Sequence, residues 1–382
     1  MMMFFGLPRG QAWALALALA FAAMQPARAQ DGPPGITTPF VLPPFDAAAP
    51  SCSVPTGVEK SLGFAPDNRR DFIQGVGYGL GKAAEDRGLA FETKDADNSV
   101  QQQIANIEDF ISRRFGAVIT APVDVAALTP VLQHVLWSGA YVGTVVPPPA
   151  TTILNAPQYL TGKVLGDDAA AYIRETLKGR ANVVLLTQDS MQFLAPRFVA
   201  IRDALQDMPG VTIVADISPN PVNAEGGYQT MKLILQAHPN VDVVLGADSV
   251  VLGALKALRE AGKARPEQYI GGIDGEPEAV AEIRTGGGPY KASVALSSPV
   301  FGYALGALAA DWLEGKSVPQ AMDVLPIALT GDNLAQYETD QTDPGAVYND
   351  PDRRDEYLRM YGSICYDTRD QYLNFPWSSE AN

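Results

Sequence analysis

Histidine and cysteine are scarce in this chain of 382 residues, with two of each. His134 falls inside the helical run VLQHVL, and His238 precedes Pro239 at a predicted helix end, where a cation suits the dipole. Neither stands beside a nucleophile, and no metal-ligand spacing is visible. The glycines at 75, 77, 79 and 81 do not form G-x-G-x-x-G, and no Lys-Ser or Lys-Thr pair completes a phosphate loop. Close packing of the first helix, or flexibility near a cleft, accounts for those glycines. The reading is a chain without a catalytic constellation and without a cofactor.

Basic residues are also few. Lys and Arg number 28 against 43 Asp and Glu, a net charge of −15. Such a balance disfavours nucleic acid and anionic membrane surfaces as partners. No basic helix-turn-helix precedes the first strand.

Long apolar runs are missing except at the start. Arg9, the uncharged stretch Trp13 to Met24 and the site Ala27-Arg28-Ala29 form a secretory signal over residues 1–29, too short for a spanning anchor. No cysteine follows the cut, which argues against a lipoprotein. Without the leader the charge becomes −17, and about 353 residues remain, enough for two lobes with separate cores. Residues 30–57, rich in Pro, Ala and Gly, read as an extended leader.

From Val58 strands and helices alternate. Strands are expected at Val58 to Phe64, Leu89 to Lys94, Ala117 to Thr120, Tyr141 to Val146, Asn182 to Leu186, Val211 to Ile217, Val241 to Leu245, Tyr269 to Ile273 and Lys291 to Leu296. Helices fall between them, one over Gly166 to Leu177 and a last one over Val300 to Leu313. This alternation predicts parallel sheets covered on both faces. The central unit is VDVVLGADSVVLGALKALREAGKARPEQYIGGIDGEP, Val241 to Pro277. Its strand, helix and strand make a right-handed parallel unit, and open α/β sheets bind ligands beyond the carboxyl ends of their strands. Asp248 and Asp274 stand at such ends. Each either lines a mouth or only caps the helix that follows it.

That stretch, with HPNVDVV before its strand, resembles the second lobe of the periplasmic sugar-binding proteins of the ribose-binding type, soluble receptors of ATP-driven importers. The same lobe is similar in sugar-responsive repressors, but an exported chain meets no DNA. DADNSVQQQIANIEDFISRRFGAVITAPVDVAALTPVL is similar to the family's first lobe, through Asp95, Gln101, the strand Ala117 to Thr120, Pro122 and Asp124. The resemblance implies an α/β fold of two doubly wound parallel-sheet lobes joined by a three-crossing hinge, the type I periplasmic binding protein. Lobe 1 would comprise residues 58–161 and 298–330, and lobe 2 residues 162–297. The crossings fall near 160–163, 296–299 and 327–331.

By resemblance the cleft arginine of lobe 2 is Arg197, suited to paired bonds with hydroxyls or a carboxylate, and the carboxylate that takes sugar hydroxyls is Asp274. Asp124 caps a helix near the cleft. Other positions depart from the pattern. The Asn-Asp pair is Ala247-Asp248, the late glutamine falls on Leu296, an aspartate falls near Val146 or Pro147, and an aromatic near Val222. The loop after the first strand is Asp67-Asn68-Arg69-Arg70. Each departure removes a polar or stacking group, so the pocket suits a ligand with fewer hydroxyls than ribose. The expected ligand set is Asp67, Asn68, Arg69, Asp124, Asp189, Gln192, Arg197, Asn223, Asp248 and Asp274. Arg69 and Arg70 read equally well as a solvated helix start.

Residues 331–382 exceed what the family needs. They carry eight aromatics, among them Tyr337, Tyr348 and Trp377, so they are expected to pack on a lobe or present a contact surface. Cys52 and Cys365, in an exported chain, predict a disulfide between leader and tail. The whole reads as a monomeric periplasmic solute-binding protein. It would take a sugar, a polyol or a less polar metabolite and present it to a membrane permease. The alternative is a sensor that reports to a membrane kinase or chemoreceptor.

Overall fold

The structure, a computed structural model, describes residues 41–145, 149–189, 191–375 and 377–380. The predicted signal peptide, the start of the leader and positions 146 and 147 lie outside them.

Lobe 1 begins with strands β1 (Glu59–Ala65), β2 (Ala90–Thr93), β3 (Phe115–Thr120), β4 (Tyr141–Val145) and β5 (Thr152–Asn155), all in parallel, ordered β5-β4-β3-β1-β2. Between them run α1 (Asp71–Arg87), α2 (Val100–Ser112) and α3 (Val125–Trp137). Lobe 2 alternates α4 (Gln158–Glu175), β6 (Ala181–Leu186), α5 (Ala195–Gln206), β7 (Val211–Ile217), α6 (Ala224–Ala237), β8 (Val243–Gly246), α7 (Asp248–Glu260), β9 (Tyr269–Ile273), α8 (Pro277–Thr285) and β10 (Tyr290–Ala295). Its strands are parallel in the order β10-β9-β8-β6-β7.

Buried strands here are apolar on both faces because helices cover both. In β3, Ala117 and Ile119 join one core while Phe115 and Val118 join another. In β6, Val184 and Leu186 face one layer and Val183 and Leu185 the other.

The chain returns to lobe 1 through α9 (Ser298–Leu313), which packs on α1. The two backbones touch at glycines. A Cβ on Gly79 would stand 2.1 Å from the Pro299 carbonyl oxygen, and one on Gly302 2.3 Å from that of Val76. Of the glycine run in α1, Gly75 and Gly79 thus serve close packing on α9, one of the two roles expected, while Gly77 and Gly81 make only ordinary contacts with Phe64 and Phe91. After α9 come β11 (Ala321–Val324), parallel to β5, and β12 (Ile327–Leu329), antiparallel to β10 in lobe 2.

Three exchanges between lobes therefore lie between Asn155 and Gln158, between Ala295 and Ser298, and between Val324 and Ile327. The first and the third precede the expected stretches, because Leu160 to Lys163 is already inside α4 and Ile327–Leu329 is already β12 of lobe 2, not lobe 1. Four strands were not anticipated: β5, β11, β12 and β13 (Leu358–Tyr361). Each has three or four residues, and β11 and β13 complete each other as an antiparallel pair, Ala321 opposite Tyr361.

The tail makes α10 (Leu334–Thr342), α11 (Pro344–Asn349) and α12 (Pro351–Tyr357) before β13 closes the edge of the lobe 1 sheet. Its aromatics pack. Tyr366 meets Trp312 edge-on at 6.2 Å, and Tyr372 meets Trp137 edge-on at 6.2 Å. The leader lies along β13, with Phe45 N donating to Met360 O at 3.0 Å. Cys52 and Cys365 are bonded, their Cα atoms 5.8 Å apart.

Candidate functional site

The turn after β9 is the best-held feature at the mouth of lobe 2. Asp274 has φ of +118° and Gly275 +67°, so the chain reverses sharply before α8. Three groups donate to the Asp248 carboxylate: Glu276 N at 2.8 Å, Ser293 Oγ at 2.7 Å and Tyr290 Oη at 2.7 Å. Ser293 Oγ in turn accepts from Gly275 N at 3.0 Å. Asp248 is completely buried and makes no cap bond to α7. It was expected either at the mouth or as a cap. Instead it stands behind the mouth and fixes the turn that carries Asp274. Burial lifts Asp248 to a pKa of about 6, against the pull of its Ser293 and Tyr290 donors.

Arg197, near the start of α5, is brought to the same place by close helix packing. A Cβ on Gly162 of α4 would lie 1.8 Å from the Arg197 carbonyl oxygen, so only glycine permits this approach. The buried guanidinium donates from Nε to Gln158 Oε1 at 2.5 Å and from Nη1 to Asp274 Oδ1 at 3.2 Å. Gln158 follows the first exchange between lobes, so Arg197 ties that connection to the strand-end carboxylate.

A cavity of about 700 Å³ opens in front of this pair. Lobe 2 contributes Arg197, Asp274, Glu276 and Glu278, lobe 1 contributes Arg70, Asp71 and Phe72, and Leu296 and Ser298 come from the second exchange. Tyr337 of the tail closes another part of the wall. The lining thus combines charged groups with the apolar Phe72, Ile273, Val294 and Leu296. Desolvation by the surrounding cleft walls raises the Asp274 carboxyl above the ordinary range although its side chain stays half-exposed to the cavity, and Arg197 opposes the rise. Burial, then repulsion from Asp248 and Asp274, lifts Glu276 to about 7.

Of the ten expected ligand residues, Arg197 and Asp274 line this cavity and the others do not. Asp67 accepts from Arg70, while Asn68 and Arg69 line a separate hollow of about 300 Å³ and bond Asn98 and Asp95. The β1 loop turns into α1 at Asp71, so the next three residues reach the cleft instead. Asp124 and Asn223 cap α3 and α6, accepting from Ala127 N at 2.9 Å and Gly226 N at 3.0 Å. Asp189 is paired with Arg202, and Gln192 is exposed on the following loop. Sequence reasoning missed Gln158, Phe72, Glu276 and Tyr337. Glu276 could have been found, because it follows Asp274-Gly275 directly.

Among the described residues, no helix is long and apolar enough to cross a membrane. The sequence is 27% identical over 262 residues to the ribose import binding protein of Bacillus subtilis, covering 66% of this chain and 80% of that protein. It is 27% identical over 236 residues to a xylitol-binding protein of Mycolicibacterium smegmatis, covering 59% and 65%. The fold is similar to the crystal structure of a periplasmic ribose ABC transporter protein from Conexibacter woesei, with a TM-score of 0.63 at 19% identity, over 75% of this chain and 96% of that one. The model of the periplasmic binding protein domain matches residues 62–317, two α/β lobes facing one cleft, and the chain belongs to that family.

Proposed function

We propose that the chain is an exported receptor that closes its two lobes on one small sugar or polyol, or a less polar relative of these, and hands it to an ABC import permease. The observation that carries this reading is the cavity of about 700 Å³ walled by both lobes, with Arg197 and Asp274 together on one side and Phe72 and Leu296 also on its wall. Arg197 and Asp274 would bond hydroxyls, and the apolar groups would cover a ring face or a deoxy position. Relatives named for ribose import and for xylitol binding support a small hydroxylated solute.

The protein acts by hinge closure, without covalent chemistry, and as a monomer. It reaches the periplasm through the leader, cut at or near Gln30. N-terminal sequencing of the periplasmic fraction checks export; an intact leader in the cytosol refutes it. Binding is checked by a thermal-shift screen of pentoses, hexoses, deoxy sugars and polyols, because a ligand of the folded state raises the melting temperature. A screen in which no solute shifts the melt would end the reading.

A further inference from the structure

We propose that Tyr337 of the C-terminal extension is a ligand-contacting residue that sets solute preference, an assignment that rests on the binding role above. The family match ends at residue 317, so nothing in the shared module supplies this side chain. Tyr337 nevertheless lines the inter-lobe cavity, and it packs against the cores of both lobes.

Its helix is anchored on both sides of the cleft. Leu334 is buried in the lobe 2 core, and Glu338 pairs with Arg284 of α8. On the lobe 1 side, Thr342 O accepts from Tyr78 Oη at 2.8 Å, and buried Asp340 accepts from Tyr357 and Arg353. At the second exchange, Ser297 Oγ donates to Gln341 Oε1 at 2.9 Å. Helix α10 is therefore a fourth connection between the lobes, made by the chain on its way from β12 to β13.

Tyr337 stacks on Tyr357 at 6.5 Å with 29° between ring planes, which fixes one face of its ring. Its hydroxyl has no hydrogen-bond partner among the described residues. Tyr290, Tyr303 and Tyr357, by contrast, each donate to an aspartate. Tyr337 is only partly buried, and its hydroxyl, unlike that of Tyr141, is not sealed from solvent. A phenol left with both a donor and an acceptor free at a cavity wall is suited to a solute hydroxyl. A phenol is neutral at neutral pH, so this hydroxyl can donate as well as accept.

The test is calorimetric titration of the mature chain and of Tyr337→Phe and Tyr337→Ala with D-ribose, xylitol and myo-inositol. Tyr337→Phe keeps the stack and loses the hydroxyl. It should weaken whichever of the three binds by roughly two- to tenfold, with an unliganded melt close to the parent's. Tyr337→Ala should weaken it further and change the order of the three. Tyr348→Phe, a tail tyrosine outside the cleft, should bind as the parent does. Unchanged affinities and order in both Tyr337 variants overturn the assignment while leaving the binding role standing. If none of the three binds the parent, the same titrations are run with the solute that the thermal-shift screen identifies; a screen in which no solute shifts the melt ends the binding role, and the role of Tyr337 with it.

Discussion

Arg197 Nη1 donates to Asp274 Oδ1 at 3.2 Å, yet the two side chains sit in unlike surroundings: the arginine is 10% exposed and the aspartate 46%. The proposed roles therefore differ in weight: Arg197, also held by Gln158, contributes to stability as well as to binding, whereas Asp274 contributes mainly to binding.

Substitutions should separate the two. Arg197→Ala removes a buried guanidinium and strands Gln158 Oε1, at a cost of about 1–3 kcal/mol in unfolding free energy. Asp274→Asn removes charge from a half-exposed group, and asparagine tolerates the positive φ, so the unliganded melt should stay within a few degrees of the parent. Both should weaken the solute found by screening, by roughly ten- to a hundredfold where a charged hydrogen bond is lost. Equal melting losses in the two variants would contradict this difference.

The acidic turn should make stability fall as pH rises. Asp248 moves from 3.8 to about 6 and Glu276 from 4.5 to about 7. A carboxyl raised on folding binds protons more tightly in the native state, so its favourable contribution is full below its unfolded pKa and is lost as pH rises through the folded one. For Glu276 that window runs from 4.5 to about 7. Urea denaturation at pH 5 and pH 8 should show a smaller difference in Glu276→Gln than in the parent. An unchanged difference means the crowding of Asp248, Asp274 and Glu276 does not set the slope.

Gly162→Ala tests how the arginine is placed. The new methyl would fall 1.8 Å from the Arg197 carbonyl oxygen, so α4 and α5 must separate. The expected cost is about 1–3 kcal/mol, together with weaker solute binding because Arg197 moves off Asp274. Wild-type affinity and stability would show that the helices adjust without moving the guanidinium.

The Cys52–Cys365 bond joins residues 313 apart in sequence. In the chain-entropy picture such a closure stabilises by roughly 5 kcal/mol at most. The Cys52→Ser, Cys365→Ser double variant should melt lower and lose hydrogen-exchange protection first in residues 41–54 and 362–371. Protection lost equally over lobe 2 would place the effect elsewhere.

Alternation from Val58 made both lobes legible, because strands covered on both faces read as apolar runs and their helices as amphipathic spacers. Arg197 was legible only through the family resemblance, and Asp274 through that resemblance together with its place at a strand end. Asp248 was not, since Tyr290 and Ser293, which claim its oxygens, lie 42 and 45 residues further on. Asp124 and Asn223 look like ligand groups in sequence, but a short polar side chain before a helix bonds its own backbone first. The β1 loop was placed where it lies, but Asp67 to Arg69 were chosen within it, whereas Arg70 to Phe72, at its end and the helix start, reach the cavity. Tyr337 was invisible as a cleft residue because α10 is positioned by contacts with α1, α8 and α12, which the tail sequence does not encode locally.

The placement of β13 dictates an order of events in folding. Lobe 2 is almost contiguous, running from Gln158 to Ala295, with β12 its single late addition. Lobe 1 needs the leader, strands from residue 59 onward, α9, β11 and finally Leu358–Tyr361 to cover its edge. Contacts so distant in sequence form slowly. Lobe 2 is therefore expected to fold first, with lobe 1 keeping an open edge beside β11 until β13 arrives. Pulsed hydrogen exchange during refolding should protect β6, β8 and β9 before β5 and β11. For the exported receptor proposed above, this order would delay a working cleft until the last tenth of the polypeptide has joined the rest.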